Sequence, residues 1–356
     1  MKVAFRTDAS THIGTGHFMR CLTLADELKK HGSYVRFLIR HLPIHLIDML
    51  TKKGIEYVQL FDADVDSLLD DLAHSSWLGI SQSRDAKATI DALSDQLWDW
   101  VVIDHYALDA RWESMVRPSV KKIMVIDDLA DRNHDCDLLL DQNYYAEMQA
   151  RYEGKVPPHC QLLLGPRYAL LRETFRSLHD HVKIRTGVVK KILVFFGGVD
   201  ESNYTFKTIE VLSQFNSHLH VDVVIGAQHP FKDLISDSCN EFGFVCHVQT
   251  DRMAELMAEA DFAIGAGGSA TWERCCLGLP ALLVALAYNQ IDIAKALNSI
   301  NACFYIATKE EMFSLNIKYT LTKLLDNPDQ ISQVSKKAFS MVDGLGVSRV
   351  YAEFVI

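Results

Sequence analysis

Two stretches of this 356-residue chain combine residue types that do chemistry. The first runs Thr7-Asp8-Ala9-Ser10-Thr11-His12-Ile13-Gly14-Thr15-Gly16-His17. It follows a short apolar run and opens an amphipathic stretch, so it reads as a strand-to-helix turn. Gly14 and Gly16 permit a tight turn and a close backbone approach to a ligand. The spacing is GxGH, which lacks the third glycine of the dinucleotide fingerprint, and it is not a Walker loop. What remains is a histidine on the first turn of a helix. There the helix dipole disfavours imidazolium, and an uncharged imidazole suits a general base. The plainer alternative is that His17 caps the helix or packs. Asp8, just past the strand, either orients a ligand or water or stabilises the turn.

The second stretch is Phe262-Ala263-Ile264-Gly265-Ala266-Gly267-Gly268-Ser269-Ala270-Thr271-Trp272-Glu273. A strand ends, three glycines follow, and a Ser/Thr-bearing helix begins. Bare amides and the helix dipole make an anion site suited to a phosphate pair. Glu273 can accept hydrogen bonds from ribose hydroxyls, or it simply complements the dipole. A further glycine pair, Gly197-Gly198, follows the first strand of the same half. Elsewhere, Val101-Val102-Ile103-Asp104-His105-Tyr106 puts a histidine and a tyrosine at a strand end, where they can line a cleft. The alternative there is a helix cap from Asp104 beside a surface His105. Asp127-Asp128 is a carboxylate pair without a third ligand at matching spacing, so no metal is expected. His179, His181, His218, His220 and the Cys246-His247 pair read as surface or packing residues.

These residues need a scaffold, and the pattern supplies one. Short apolar runs alternate with amphipathic stretches in both halves. Strands are predicted at Lys2–Thr7, Tyr34–Ile39, Ile55–Leu60, Trp100–Asp104 and Lys122–Asp127. In the second half they are predicted at Lys191–Phe196, Val221–Ile225, Phe244–Val248, Phe262–Ile264, Ala281–Val284 and Cys303–Ile306. Helices are predicted at His17–Lys30, Asn203–Gln214, Met253–Ala260, Ala270–Leu277 and Gln290–Ser299, and through the last 40 residues. Little alternation within the strands points to parallel sheets covered on both faces. The expected fold class is α/β, with two doubly wound domains facing a central cleft. The domains are read as 1–175 and 190–356, with a polar linker at 176–189. Ligands of such sheets bind at the carboxyl ends of the strands, and domain interfaces are favoured pockets.

Charge and composition exclude several classes. With 36 basic and 46 acidic residues the net charge is −10, and no basic cluster stands out, so nucleic acid is not an expected partner. No apolar run reaches the roughly 18–20 residues of a membrane span, and the first residues lack a signal-peptide core. The eight cysteines show no CxxC pair, which fits reduced thiols in a cytoplasmic protein.

The residues carry a resemblance. Gly267-Gly268-Ser269-x-Thr271-x-Glu273, with Gly278-x-Pro280 and Asn289-Gln290, resembles the donor-nucleotide motif of GT-B enzymes that handle UDP-sugars, the MurG-type transferases among them. Arg6-x-Asp8-x-Ser10-x-x-Ile13-Gly14-x-Gly16-His17-x-x-Arg20-Cys21 more closely resembles the UDP-sugar hydrolases of pseudaminic acid biosynthesis. Ile103-Asp104-His105-Tyr106 and Tyr168-Ala169-Leu170-Leu171-Arg172-Glu173-x-Phe175 fit the same family. The resemblance implies a GT-B fold of two Rossmann-like domains and hydrolysis of UDP-2,4-diacetamido-2,4,6-trideoxy-β-L-altropyranose to UDP and the free sugar. It implies inversion at the anomeric carbon, no metal and no cofactor. His17 matches the catalytic histidine and Glu273 the nucleotide-binding glutamate. Arg172 matches a substrate-contacting arginine, and Tyr106 a tyrosine beside the reacting sugar. Met253 is expected near the uracil. Asp8, Gly14, Gly16, Gly267, Gly268, Ser269, Thr271, Asn289 and Gln290 complete the expected substrate site. A MurG-like transferase is the enzymatic alternative, disfavoured by the lack of a clear membrane-facing patch, and a non-catalytic UDP-sugar binder is the other.

Overall fold

The computed structural model describes residues 1–10, 12–61, 70–215, 219–307 and 310–355, without the side chains of Tyr288, Asn289 and Glu310. Among the described residues the chain builds two wholly parallel sheets, one of seven strands and one of six. The first half runs β1 (Lys2–Thr7), α1 (Gly16–Lys30), β2 (Tyr34–Ile39), α2 (Ile44–Lys52) and β3 (Glu56–Gln59). It continues with α3 (Gln82–Leu93), β4 (Trp98–Asp104), α4 (Ala110–Val116) and β5 (Val120–Ile126). Then come β6 (Leu138–Asp141) and β7 (Gln161–Leu164). Strand order is β3-β2-β1-β4-β5-β6-β7.

The second half opens with α5 (Glu173–His179), β8 (Lys191–Phe195), α6 (Tyr204–Leu212), β9 (His220–Ile225) and α7 (Lys232–Phe242). Next are β10 (Val245–Val248), α8 (Met253–Glu259), β11 (Phe262–Ala266), α9 (Ala270–Cys276) and β12 (Ala281–Val284). It ends with α10 (Tyr288–Ser299), β13 (Phe304–Ile306), α11 (Phe313–Leu325), α12 (Pro328–Phe339) and α13 (Gly346–Phe354). The order β10-β9-β8-β11-β12-β13 repeats the first winding.

Strand periodicity explains the two-sided burial. In β1, Val3 and Phe5 enter one core and Ala4 the opposite one, as alternating side chains must. Phe5 stacks on Phe37 of β2 at 5.0 Å, and Phe18 of α1 closes over that ring at 5.7 Å. The α1 helix stops where the sequence says. Gly32 takes φ +79°, and Ser33 N–H reaches back to Leu28 O at 2.9 Å, a glycine-terminated turn.

Three expectations need correction. The strands β6 and β7 were not predicted, because each is only four residues long. The segment 176–189 is not a free linker. Its first residues finish α5, and Arg185 is buried with its guanidinium donating to the carbonyls of Met257, Ala258, Ala260 and Leu277. Those carbonyls end α8 and α9, where the dipole is negative. Finally, the two units are Met1–Asn143 with Glu147–Leu170 and Gly346–Ile356, and Tyr144–Ala146 with Leu171–Leu345. The last helix therefore belongs to the first unit. Phe354 lies against Trp100 at 4.7 Å, and Tyr351 stacks on His31 at 4.2 Å. Among the described residues no helix is long and apolar enough to cross a membrane.

Candidate active site

The turn after β1 is held by Ser10. Its carbonyl accepts Gly14 N–H at 2.8 Å and its hydroxyl accepts Ile13 N–H at 3.1 Å. Gly14 takes φ +77°, where a side chain would be strained although nothing lies within 4 Å of a would-be Cβ. Gly16 then starts α1, and His17 follows on its first turn. Nδ1 of His17 lies 2.6 Å from Oδ1 of Asp104, at the carboxyl end of β4. Arg20, three residues on and hence on the same helix face, grips Asp104 at both oxygens, Nε to Oδ2 at 2.6 Å and Nη2 to Oδ1 at 2.7 Å. Burial pushes the Asp104 carboxyl up, but Arg20 and His17 outweigh it and hold it far below the usual carboxylate range. In a neutral imidazole that donates Nδ1–H to an ionised Asp104, Nε2 is the acceptor nitrogen.

Aromatic rings close around this histidine. The Tyr106 ring stands edge-on to it at 4.5 Å, and Trp77 stacks on Tyr106 at 5.4 Å. His74 meets both Trp77 and Tyr106, and burial pushes its imidazole down against the pull of Asp131. Tyr106 donates its hydroxyl to Asp128 Oδ2 at 3.0 Å, and Arg20 Nη1 reaches the same oxygen at 2.6 Å. A ring of contacts thus links His17, Asp104, Arg20, Asp128 and Tyr106.

Some expected contacts are made by the fold instead. Asp8 is fully buried and is not placed to touch a substrate. It accepts the amides of Arg40 at 2.7 Å and His41 at 3.1 Å, and it pairs with Arg6 at 2.9 Å. His105 is not a surface residue. It is 2% exposed, 3.3 Å from Asp8, and burial pushes its imidazole down while Asp8 opposes. Asp104 is no helix cap but the anchor of His17. Asp127 and Asp128 diverge to separate cations, Asp127 to Arg132 at 2.9 Å and Asp128 to Arg20. Sequence reading missed Asp104 and Asp128 in these roles, as well as His74 and Trp77. The i, i+3 spacing of His17 and Arg20 was the available signal for one shared carboxylate.

In the second unit, β11 runs so close to β8 that a Cβ on Gly265 would lie 1.9 Å from Phe195 O. Gly267 and Gly268 are under no such pressure. A Cβ on Gly267 would make ordinary contact with Gln290, and one on Gly268 would meet nothing within 4 Å. Thr271 N–H closes onto Gly268 O at 2.9 Å, and Trp272 N–H onto Ser269 O at 3.0 Å. Helix-start amides have no intrahelical acceptor, and those of Ser269 and Ala270 stand at the start of α9. Thr271 is corrected to a fold role. It is 3% exposed, and its hydroxyl accepts from Arg274 at 3.2 Å.

Glu273 and Arg172 come together, with Nη2 3.9 Å from Oε1. Arg172 sits at the N-terminus of α5 and belongs to the second unit, not the first. Burial pushes the Glu273 carboxyl up, opposed by Arg172 and Arg274. Gln290 borders Gly267 and accepts Leu286 N–H at 2.9 Å. Met253 opens α8 and is mostly buried. The side chain of Asn289 lies outside the described residues.

Comparison with known proteins follows the same division. Residues 192–346 match the family model of the glycosyltransferase family 28 C-terminal domain. Over its full length the chain superposes on MurG of Acinetobacter baumannii with a TM-score of 0.65 at 14% identity, covering 99% of each chain. The fold is GT-B. In sequence, the chain is 27% identical over 296 residues to the UDP-2,4-diacetamido-2,4,6-trideoxy-beta-L-altropyranose hydrolase of Campylobacter jejuni, covering 83% of this chain and 95% of that one. It is 25% identical over 299 residues to an uncharacterized protein of Methanocaldococcus jannaschii, covering 82% of this chain but 57% of that one. The GT-B chain thus spans little more than half the length of its archaeal relative.

Proposed function

We propose that the protein is an enzyme that binds a UDP-sugar and transfers the sugar to water, with His17 as general base. The observation that carries this is the hydrogen bond from His17 Nδ1 to a buried, arginine-gripped Asp104. It fixes the tautomer in which Nε2 is free to take a proton from water. Ser269 and Ala270 amides on the Gly267–Gly268 turn hold the diphosphate, Glu273 takes the ribose hydroxyls, and Met253 and Gln290 border the nucleotide. Arg172 and Tyr106 contact the sugar.

Water then attacks the anomeric carbon on the face opposite UDP. The C–O bond to UDP breaks with its electron pair leaving on the diphosphate, and the water proton passes to Nε2. Such a displacement inverts the anomeric centre through an oxocarbenium-like state. UDP is a good leaving group, so no general acid is demanded, and aligned amides stabilise the growing negative charge. The finer reading is that the substrate is the UDP-2,4-diacetamido-2,4,6-trideoxy-β-L-altropyranose named for the Campylobacter jejuni relative.

A second reading is transfer to an organic acceptor. One observation favours it. Ile44 and Phe61, in segments that follow β2 and β3, stand 78% and 81% exposed, more apolar surface than the sequence suggested. Incubation with candidate UDP-sugars and no acceptor decides between them. Release of UDP and free sugar is the expected result. Release only on adding an acceptor means a transferase, and binding without release means a non-catalytic binder.

A further inference from the structure

Arg274 lies on α9 beneath the glycine turn that ends β11, and it is 2% exposed. Its Nη2 donates to Ala266 O at 2.6 Å and to Thr271 Oγ1 at 3.2 Å. Its Nη1 comes within 3.4 Å of the position a Gly265 Cβ would take. Its Nε has no acceptor. Among the described residues no carboxylate oxygen lies within 4 Å of this guanidinium. Buried charges are normally paired, because an uncompensated ion in a low dielectric is costly. Burial accordingly pulls the Arg274 guanidinium down from its ordinary value, with Cys275 and Glu273 opposing.

Arg185 is the instructive contrast. It too is buried without a carboxylate, yet its nitrogens meet carbonyls at the ends of α8 and α9. There the helix dipoles supply negative partial charge. Arg274 reaches back to the opposite end of α9, where the dipole is positive and adds repulsion. Within the fold the cation meets one carbonyl and one hydroxyl at Nη2 and, among the described residues, no carboxylate. On the other side of the turn, Gly268 and Ser269 are exposed and a Cβ at Gly268 would enter open space.

We propose that Arg274 is the buried counter-charge for a diphosphate carried on the outer side of the Gly265–Ser269 turn, so that this unit selects nucleoside diphosphates over nucleosides. The inference rests on the UDP-sugar reading above and adds the residue that supplies the charge. It acts through the turn as a specificity residue, without touching the ligand.

The test is calorimetric binding of UDP and uridine to the full chain and to Arg274→Met and Arg274→Lys, with thermal unfolding of each in the absence of ligand. Arg274→Met should weaken UDP about tenfold to hundredfold, as loss of one charge beneath the turn implies, and leave uridine unchanged. Its unliganded melting temperature should hold or rise, since an apolar side chain replaces a buried ion that has no carboxylate partner. Arg274→Lys should keep most of the preference for UDP. If Arg274→Met proves unfolded, Arg274→Gln, which keeps a donor to Ala266 O without the charge, takes its place. A wild-type ratio of UDP to uridine affinity in the uncharged variant overturns the assignment. So does an equal loss of both ligands with a lower melting temperature, the mark of a structural arginine. A wild-type protein that binds neither ligand overturns the UDP-sugar reading itself.

Discussion

The two sheets share one winding order and use their carboxyl ends in opposite ways. In the first unit that end is saturated with paired charge. Asp8 and Asp85 face Arg6, Asp104 faces Arg20 and His17, and Asp127 faces Arg132. In the second unit the Gly265–Ser269 turn offers glycine and bare amide, with Arg274 beneath it lacking a carboxylate, the Glu273–Arg172 pair beside it, and Asp200 after β8 tied to Thr205. Buried ion pairs add little net stability, but they fix geometry. The first arrangement suits the holding of a single reactive ring in one tautomer. The second suits the acceptance of charge brought in by a ligand.

Four substitutions break or sharpen this contrast, beginning with the largest effect. His17→Ala should cut turnover by about 10²–10⁴ while UDP affinity measured by calorimetry stays the same, since the ring lies in one unit and the proposed diphosphate turn in the other. Unchanged UDP release would remove the first unit from the chemistry.

The paired charges of the first unit should next show in stability against pH. Burial pushes the His134 imidazole down, but Glu113 at 2.7 Å and Asp127 outweigh it and raise it to about 9. The ordinary value is about 6.5. A raised value in the fold means a stabilisation complete below about pH 6.5 and lost as pH climbs through about 9, of order 3 kcal/mol. Urea unfolding between pH 6 and 10 should record that fall, and His134→Gln should flatten it.

The smallest effects come from the glycines of the second unit, and they should separate. Gly265→Ala forces a Cβ against Phe195 O and should cost about 1–3 kcal/mol, as overpacking does. Gly268→Ala should leave stability within about 0.5 kcal/mol, because a Cβ there meets nothing in the fold, yet weaken UDP at the proposed diphosphate turn. Melting curves with and without UDP distinguish the two positions.

The contrast was half legible in the sequence. The strand β1, the glycine turn and α1 could be read because alternation, φ > 0 and an apolar stripe are local signals. The turn at Gly265–Ser269 could be read for the same reason. Charge pairing could not. Asp104 meets residues more than 80 positions away, and a carboxylate at a strand end looks alike whether it faces substrate or an arginine. Asp8 was read toward a ligand on that ambiguity, and Thr271 likewise. The short leucine runs of β6 and β7 are too brief for periodicity to distinguish strand from loop. Val347, Val350 and Phe354 mark an apolar face on α13, but spacing does not say which core receives it.

That last helix changes how the chain should be divided. A Cβ on Gly346 would strike the backbone of Tyr168 and Ala169, so the points where the polypeptide leaves the first unit and returns to it sit side by side. The second unit is in effect an insertion. Joining Leu170 to Gly346 through a short turn should therefore yield a continuous, independently folding protein that retains His17, whereas simple cleavage of the gene near its midpoint should yield two incomplete fragments.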